Sequence, residues 1–290
     1  MTDQTLSRAA FRVVRGAKKA TGESPRKWMY TVLGILLLCV MLFPVHWMIN
    51  ISLQPAGPAI EAAWFPLHAQ FGGYVQAFSD QAGNLGTSLI IALGSVVLSL
   101  AIATPAAYAL AQFPLKRINY VLFGILISQM IPGIVVANAL YAAYNDLHLL
   151  NSVFGLILAD STAGIPFAIL IMRAFMVNIP PSIIEAAKVD GAGNFRAFRS
   201  IVLPVSFNAL ITAGLFTFLF AWSDFLFALT LTTTTTVRPI TLGIYQYIGT
   251  YTADWSTVMA AAVMASIPAI VLLLAAQKFI AAGATGGAVK

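Results

Sequence analysis

The sequence has few charged residues. Only 9% of its 290 residues are Asp, Glu, Lys or Arg, while 59% are hydrophobic. A soluble domain has about 25% charged residues. So few charges cannot form a water-facing surface, and we expect lipid to cover most of the outside of the protein. The net charge of +6 does not indicate nucleic-acid binding, because the basic residues are not set among aromatic or base-reading motifs.

Cysteine and histidine are also scarce. The single cysteine, Cys39, excludes an intrachain disulfide and a cysteine-based metal site. The three histidines match no metal-binding spacing, and no GxxxxGK[ST] motif for nucleotide phosphates occurs. We therefore predict no catalytic residue, no metal site and no cofactor bound by this chain.

Long apolar stretches are abundant. A bilayer core about 30 Å thick is crossed by a helix of about 20 mostly apolar residues. Six stretches meet this length, near residues 28–52, 85–111, 120–144, 153–177, 205–231 and 257–280. They are continuously apolar rather than alternating, which excludes the strands of a transmembrane barrel. The predicted fold class is all-α, a polytopic membrane protein with six transmembrane helices.

The basic residues indicate the orientation. Of the 16 lysines and arginines, only Arg238 lies outside the N-terminal tail, the turn after span two, the segment 173–204 and the C-terminal tail. Loops rich in Lys and Arg stay in the cytoplasm. Both termini and the segment 173–204 are therefore predicted to be cytoplasmic.

These boundaries divide the chain into five predicted parts. They are a basic cytoplasmic tail (1–27), a first transmembrane helix (28–52), an extracytoplasmic loop (53–83), a transmembrane core of five helices (84–277) and a cytoplasmic tail (278–290). The first apolar run is too long for a cleaved signal peptide, so we interpret it as a span. The basic tail is either an amphipathic helix on anionic lipid or a solvated segment.

The cytoplasmic loop at 178–204 has the pattern of two short helices joined by a glycine turn. Pro180 and Pro181 suit a helix entry and Ser182 suits the cap, while Gly191 suits a left-handed C-terminal cap. Several apolar side chains in this loop require burial against some partner: Ile183, Ile184, Val189, Phe195 and Phe198.

The spacing of this loop resembles the EAA signature of permease subunits of binding-protein-dependent ABC importers. That signature reads EAA, three residues, G, nine residues and I-x-L-P, and all seven fixed positions match: Glu185, Ala186, Ala187, Gly191, Ile201, Leu203 and Pro204. The resemblance implies a type I importer fold in a prokaryotic cytoplasmic membrane. It also implies that the loop is a coupling helix for an ABC ATPase.

The same resemblance implies the partners. They are a second permease subunit in a heterodimer, two copies of an ATPase that binds ATP and Mg, an extracytoplasmic substrate-binding protein and a sugar. ATP hydrolysis is supplied by the partner chain, so this chain is not itself an enzyme.

The C-terminal tail is similar to the ending of maltose-type carbohydrate permeases, the shorter six-span partner of the pair. In that group the tail reaches the ATPase interface, which implies contacts by Gly283, Thr285, Gly287 and Lys290. The implied substrate is a di- or oligosaccharide such as a maltose- or trehalose-like sugar. Glycerol phosphate or another polyol stays open as an alternative. Ser223 and Thr87 depart from the Asn residues usual in the family at their positions.

Polar residues inside the predicted spans are candidates for a substrate path, because such residues are costly in lipid and usually face a cavity or another helix. The candidates are Gln129, Asn138, Asp160, Trp222 and Asp224. Helix–helix packing is the alternative interpretation for each. An aspartyl protease pair at Asp160 and Asp224 lacks the Gly-x-Gly-Asp context. A proton-coupled carrier is disfavoured because the halves show no clear repeat.

Overall fold

The structure is a computed structural model that describes residues 26–59, 63–250 and 254–286. Every regular element in these ranges is helical, which confirms the all-α prediction. The helices are α1 (Arg26–Ser52), α2 (Gly72–Gln112), α3 (Ile118–Ser128), α4 (Gly133–Leu147), α5 (Val153–Met176), α6 (Pro181–Val189), α7 (Asn194–Ala197), α8 (Leu203–Val205), α9 (Phe207–Ser223), α10 (Leu226–Leu231), α11 (Ile240–Thr250) and α12 (Trp255–Gly286). The basic tail lies outside the described residues up to residue 25.

Membrane-spanning length and composition are found in α1, α2, α5 and α12, and in the bent pairs α3–α4 and α7/α8–α9. Counting each bent pair as one span yields the six predicted crossings. The chain forms two units, Met1–Met48 and Ile49–Lys290. The first contains most of α1, an apolar helix with Pro44 inside it. The second contains all other helices.

The third predicted span is not one helix. It breaks after Ser128, and α3 and α4 meet at an angle of 88°. Pro132 is the residue before α4 and has an extended backbone, with φ −58° and ψ 132°. Because proline has no N–H to donate, the helix ends here. Hydropathy alone did not reveal this break, since both arms are apolar.

The second helix starts at Gly72, well before its predicted start near Leu85. The predicted loop 53–83 is therefore partly wrong. Polar partners sustain the extra turns: the Asp80 carboxylate accepts hydrogen bonds from the Tyr247 hydroxyl (2.7 Å) and the Gln76 amide (2.9 Å). Farther along, the Ser88 hydroxyl accepts from the backbone N–H of Ile240 (2.8 Å). The N-terminal part of α2 is thus hydrogen-bonded to α11.

The centre of the second unit is the junction of α2, α5 and α9. Gly164 of α5 lies so close to α2 and α9 that an added Cβ would be 2.7 Å from the Ser99 hydroxyl and 2.8 Å from the Thr217 methyl. Small residues allow such close backbone approach between membrane helices. Alanines fill the rest of this junction and are fully buried: Ala103, Ala107, Ala168, Ala209 and Ala213.

The last helix is capped by Asp254. Its carboxylate accepts hydrogen bonds from the hydroxyls of Thr257 (2.6 Å) and Ser256 (2.8 Å), and from the N–H of Thr257 (3.4 Å). Burial by itself raises the pKa of this carboxyl, but these hydrogen bonds outweigh it, and the pKa is lowered below its usual value. The charged form is therefore the form that the fold stabilises.

We expect Gly164→Ala to destabilise the protein by about 1–3 kcal/mol, because the new methyl group overpacks the three-helix junction. Thermal unfolding of the detergent-solubilised protein measures this. Gly124→Ala is the matched control, since a Cβ at Gly124 meets nothing within 4 Å. Equal melting temperatures for the two variants would show that the junction is not tightly packed.

We expect Asp254→Ala to destabilise the protein at pH 7 by up to about 1 kcal/mol through loss of the cap. A lowered folded-state pKa contributes stability that is present above the unfolded pKa of about 3.9 and is lost as the pH falls through the folded pKa. The stability difference between wild type and variant should therefore shrink below pH ~4. A difference that stays constant down to pH 3 would contradict this role of the charge.

Candidate functional site

The connection from α5 to α9 contains α6, α7, a π-helical turn (Phe198–Val202) and α8; we call residues 178–204 the loop segment. The first predicted helix is confirmed as α6. The second predicted helix is also present, as the continuous helical stretch Asn194–Val205 formed by α7, the π turn and α8, and this stretch meets α9 at 76°. A π turn inside a short helix shifts the register by one residue. That shift re-aims the chain as it enters α9.

The start of α6 differs from the prediction. Pro180, not Ser182, is the cap residue, and its side chain makes no capping hydrogen bond. Pro180 is extended, with ψ 129°, because the residue before a proline is excluded from the helical region. Pro181 then begins the helix, where its missing N–H costs nothing. The Ser182 prediction was wrong because two successive prolines set the boundary.

The end of α6 is the predicted left-handed cap. Gly191 has φ +83°, a conformation that costs other residues free energy. The N–H of Ala192 donates to the carbonyl of Ala187 (2.9 Å), and the N–H of Gly191 donates to that of Lys188 (3.0 Å). This pair of bonds is the Schellman motif. The glycine of the signature therefore has a backbone role.

Two side chains from outside the signature hold the loop segment against the helices. The Gln112 amide at the end of α2 donates to the carbonyls of Met176 (2.6 Å) and Ile179 (3.3 Å). In return, Arg173 of α5 donates through Nε to the carbonyl of Leu110 (3.2 Å). The Leu110 carbonyl has no helical donor because residue 114 is proline, and the Met176 carbonyl, which also accepts from the N–H of Ile179 (3.2 Å), gains a second donor from Gln112. Sequence analysis missed Gln112, and a lone glutamine before a turn has no distinguishing pattern.

The loop segment has one buried face. Ile184 is 5% exposed, and Ala197 and Val202 are fully buried in the cluster formed by α2, α5 and α9. Of the signature residues, Ala187 is 9% exposed, while Ile201 and Leu203 are half-buried. Of the apolar residues predicted to require burial against a partner, Ile184 is buried on this face and Phe198 is half-buried.

The opposite face is open. Glu185 and Ala186 are exposed, and so are three large apolar side chains, Ile183 (44%), Val189 (87%) and Phe195 (75%). Glu185 and Val189 are four residues apart and therefore share one side of α6. A cluster of exposed apolar side chains with a charged residue among them is typical of a surface that binds another protein.

The C-terminal end of α12 lies on the same side as the loop segment. The ring of Phe279 contacts that of Phe207 edge-on, with centroids 6.5 Å apart. The helix continues to Gly286, so Gly283 and Thr285 of the predicted tail 278–290 lie in helix. Gly287 and Lys290 are outside the described residues.

The predicted path residues fall into two groups. Gln129 and Asn138 are exposed, and they lie at the α3–α4 break and one turn into α4. Asp160 is buried in α5, close enough to Asp224 for a Coulombic interaction. Asp224 accepts hydrogen bonds from the N–H groups of Phe227 (3.2 Å) and Ala228 (3.0 Å), and so starts α10 after the break that follows α9.

Trp222 is an internal packing residue. It is 6% exposed, its ring stacks on that of Phe218 with centroids 5.5 Å apart, and its Nε1 donates to the carbonyl of Ala265 (3.0 Å). The indole ring and its nitrogen therefore both have partners inside the protein. Trp222 therefore ties α9 to α12 and presents no open stacking face in this structure.

Comparisons with known proteins agree with this geometry. Residues 95–285 match the family described as "Binding-protein-dependent transport system inner membrane component". The trehalose transport system permease protein SugB of Mycobacterium tuberculosis is 33% identical, over 95% of this chain and 99% of the relative. The diacetylchitobiose uptake system permease protein DasC of Streptomyces coelicolor is 31% identical, over 89% of this chain and 95% of the relative.

Among solved structures, a chain of a bacterial ABC transporter involved in the import of the acidic polysaccharide alginate has the same fold. Its TM-score is 0.73, it is 21% identical, and the alignment covers 89% of this chain and 99% of that one.

We expect Gln112→Leu to loosen the loop segment, because the Met176 and Ile179 carbonyls lose their donor. The local opening free energy should fall by about 1–3 kcal/mol. Hydrogen–deuterium exchange of amides 178–192 measures it. Gln277→Leu is the matched control, since Gln277 is exposed on α12. Unchanged exchange in both variants would contradict the anchoring role.

Proposed function

This chain belongs to the family of binding-protein-dependent transport system inner membrane components, and from that premise we propose that it is a permease subunit of an ATP-driven importer for a di- or oligosaccharide. The relatives named for trehalose and diacetylchitobiose transport support the sugar. The observation that carries the proposal is the open face of α6, where Glu185 stands among exposed apolar side chains on a segment held rigidly by Gln112.

We assign Glu185 and Ala186 to direct contact with an ATPase partner. The small side chain of Ala186 allows close approach, and Val189 and Phe195 supply apolar area for an interface core. Ala187, Gly191, Ile201, Leu203 and Pro204 shape the segment that presents them. The C-terminal residues Gly283, Thr285, Gly287 and Lys290 are assigned to the same partner, because α12 ends on this side.

The proposed complex contains a second permease subunit, two ATPase copies and an extracytoplasmic binding protein. ATP and Mg are assigned to the ATPase, because this chain lacks a phosphate-binding motif. The basic residues support a cytoplasmic position for the loop segment and both termini. The location is the cytoplasmic membrane of a prokaryote.

The proposed sugar path passes the break between α3 and α4. Gln129 and Asn138 are the exposed amides there, suited to hydrogen bonds with sugar hydroxyls. Asp160 and Asp224 lie deeper, and Trp222 contributes by fixing α9 against α12. Alternating access then requires the helices around this break to move when the loop segment is pushed.

We expect Glu185→Lys to reduce ATP-driven sugar uptake by the reconstituted complex at least about tenfold, because a reversed charge in an interface costs several kcal/mol. The ATPase should also be lost from the complex during purification. Folding should be unaffected, since Glu185 is exposed.

Asp146→Lys is the matched control, because Asp146 is also exposed and lies at the end of α4, just before the end of α5 that is opposite to the loop segment. It should retain the ATPase. If Glu185→Lys retains the ATPase and full uptake, the coupling assignment is wrong.

A further inference from the structure

Arg238 stands alone in the connection between α10 and α11. It is half-buried, and its Nε is buried without a hydrogen-bond partner. Its guanidinium makes no hydrogen bond or ion pair with any residue that the structure describes. Arginine is always charged and carries five N–H donors. The buried Nε is out of reach of an incoming group, whereas the two terminal nitrogens are not among the buried unpaired atoms and are the donors that a partner can reach.

The backbone that carries Arg238 is held on both sides. Asn151, in a left-handed conformation (φ 55°), accepts hydrogen bonds from the N–H groups of Thr233 (2.7 Å) and Thr234 (2.8 Å) through its side-chain oxygen. After Arg238, the Ile240 N–H donates to Ser88 of α2. These hydrogen bonds fix the backbone at residues 233–240 that carries the guanidinium, which lowers the entropy cost of binding.

The backbone at residues 233–240 lies far from the loop segment. Ser88 and Gln112 are about 36 Å apart along α2, at 1.5 Å rise per residue. The neighbouring surface is polar: the side chains from Thr233 to Thr236 are exposed. A second permease subunit would cover apolar helix faces, whereas a polar rim with a single charge suits a water-soluble protein that binds and leaves.

We propose that Arg238 is a docking contact for the extracytoplasmic binding protein and that it receives an Asp or Glu side chain of that protein. A guanidinium and a carboxylate match each other in two parallel hydrogen bonds. The inference deepens the proposed function and rests on it, including the predicted orientation. It assigns a role to the one basic residue outside the cytoplasmic segments.

The test measures binding of the purified cognate binding protein to the complete complex in nanodiscs, over a range of salt concentrations. Arg238→Gln should weaken binding about tenfold and flatten its salt dependence. Arg238→Lys should restore part of the affinity, since it keeps the charge but not the planar pair. Arg117→Gln, an exposed arginine at the other end of α2, is the matched control and should bind as wild type does.

Three results would overturn the inference. Equal affinity and salt dependence for Arg238→Gln and wild type would exclude the contact. Dissociation of the two permease subunits in Arg238→Gln, seen by size-exclusion chromatography, would assign the carboxylate to the second subunit. A changed KM confined to anionic sugars, with unchanged protein binding, would assign it to substrate. If the binding protein does not bind even the wild-type complex, the proposed function itself fails.

Discussion

A bilayer offers no water to hydrogen-bond an open peptide group, so every break in a helix of this protein needs a substitute partner. Side chains supply several of them. Asp224 accepts the first N–H groups of α10, Ser152 accepts from the N–H of Gly155 at the start of α5, and Gln112 donates to the carbonyls that end α5. The breaks are therefore stable features of the fold.

Helix α2 contacts both the connection that contains Arg238 and the loop segment. With 41 residues, α2 is about 62 Å long. Its first part carries α11 through Asp80 and Ser88, and its last residue, Gln112, holds the loop segment. The segment that contains Arg238 and the loop segment are thus both bonded to one helix. In the proposed importer, this helix is the physical connection between substrate delivery and the supply of energy.

Sequence patterns predicted a large part of this arrangement. Apolar length located the four helices of spanning length and the two bent pairs, and the spacing from Glu185 to Pro204 located the loop segment together with its left-handed Gly191. What the patterns missed are contacts between distant parts of the chain. Gln112 and Trp222 act on partners more than 40 residues away, and nothing near them in the sequence identifies those partners.

The sequence by itself determined that the chain is a membrane protein, which segments are apolar enough to cross the bilayer and where the signature loop lies, because apolar length and a fixed motif are local properties. Only the tertiary structure decided which face of that loop is open, that Trp222 is packed inside, and that Arg238 has no partner among the described residues. Exposure and pairing depend on what other helices bring alongside. The loop was recognisable from its sequence motif, but its exposed Glu185 face exists only because α2 and α5 cover the other side.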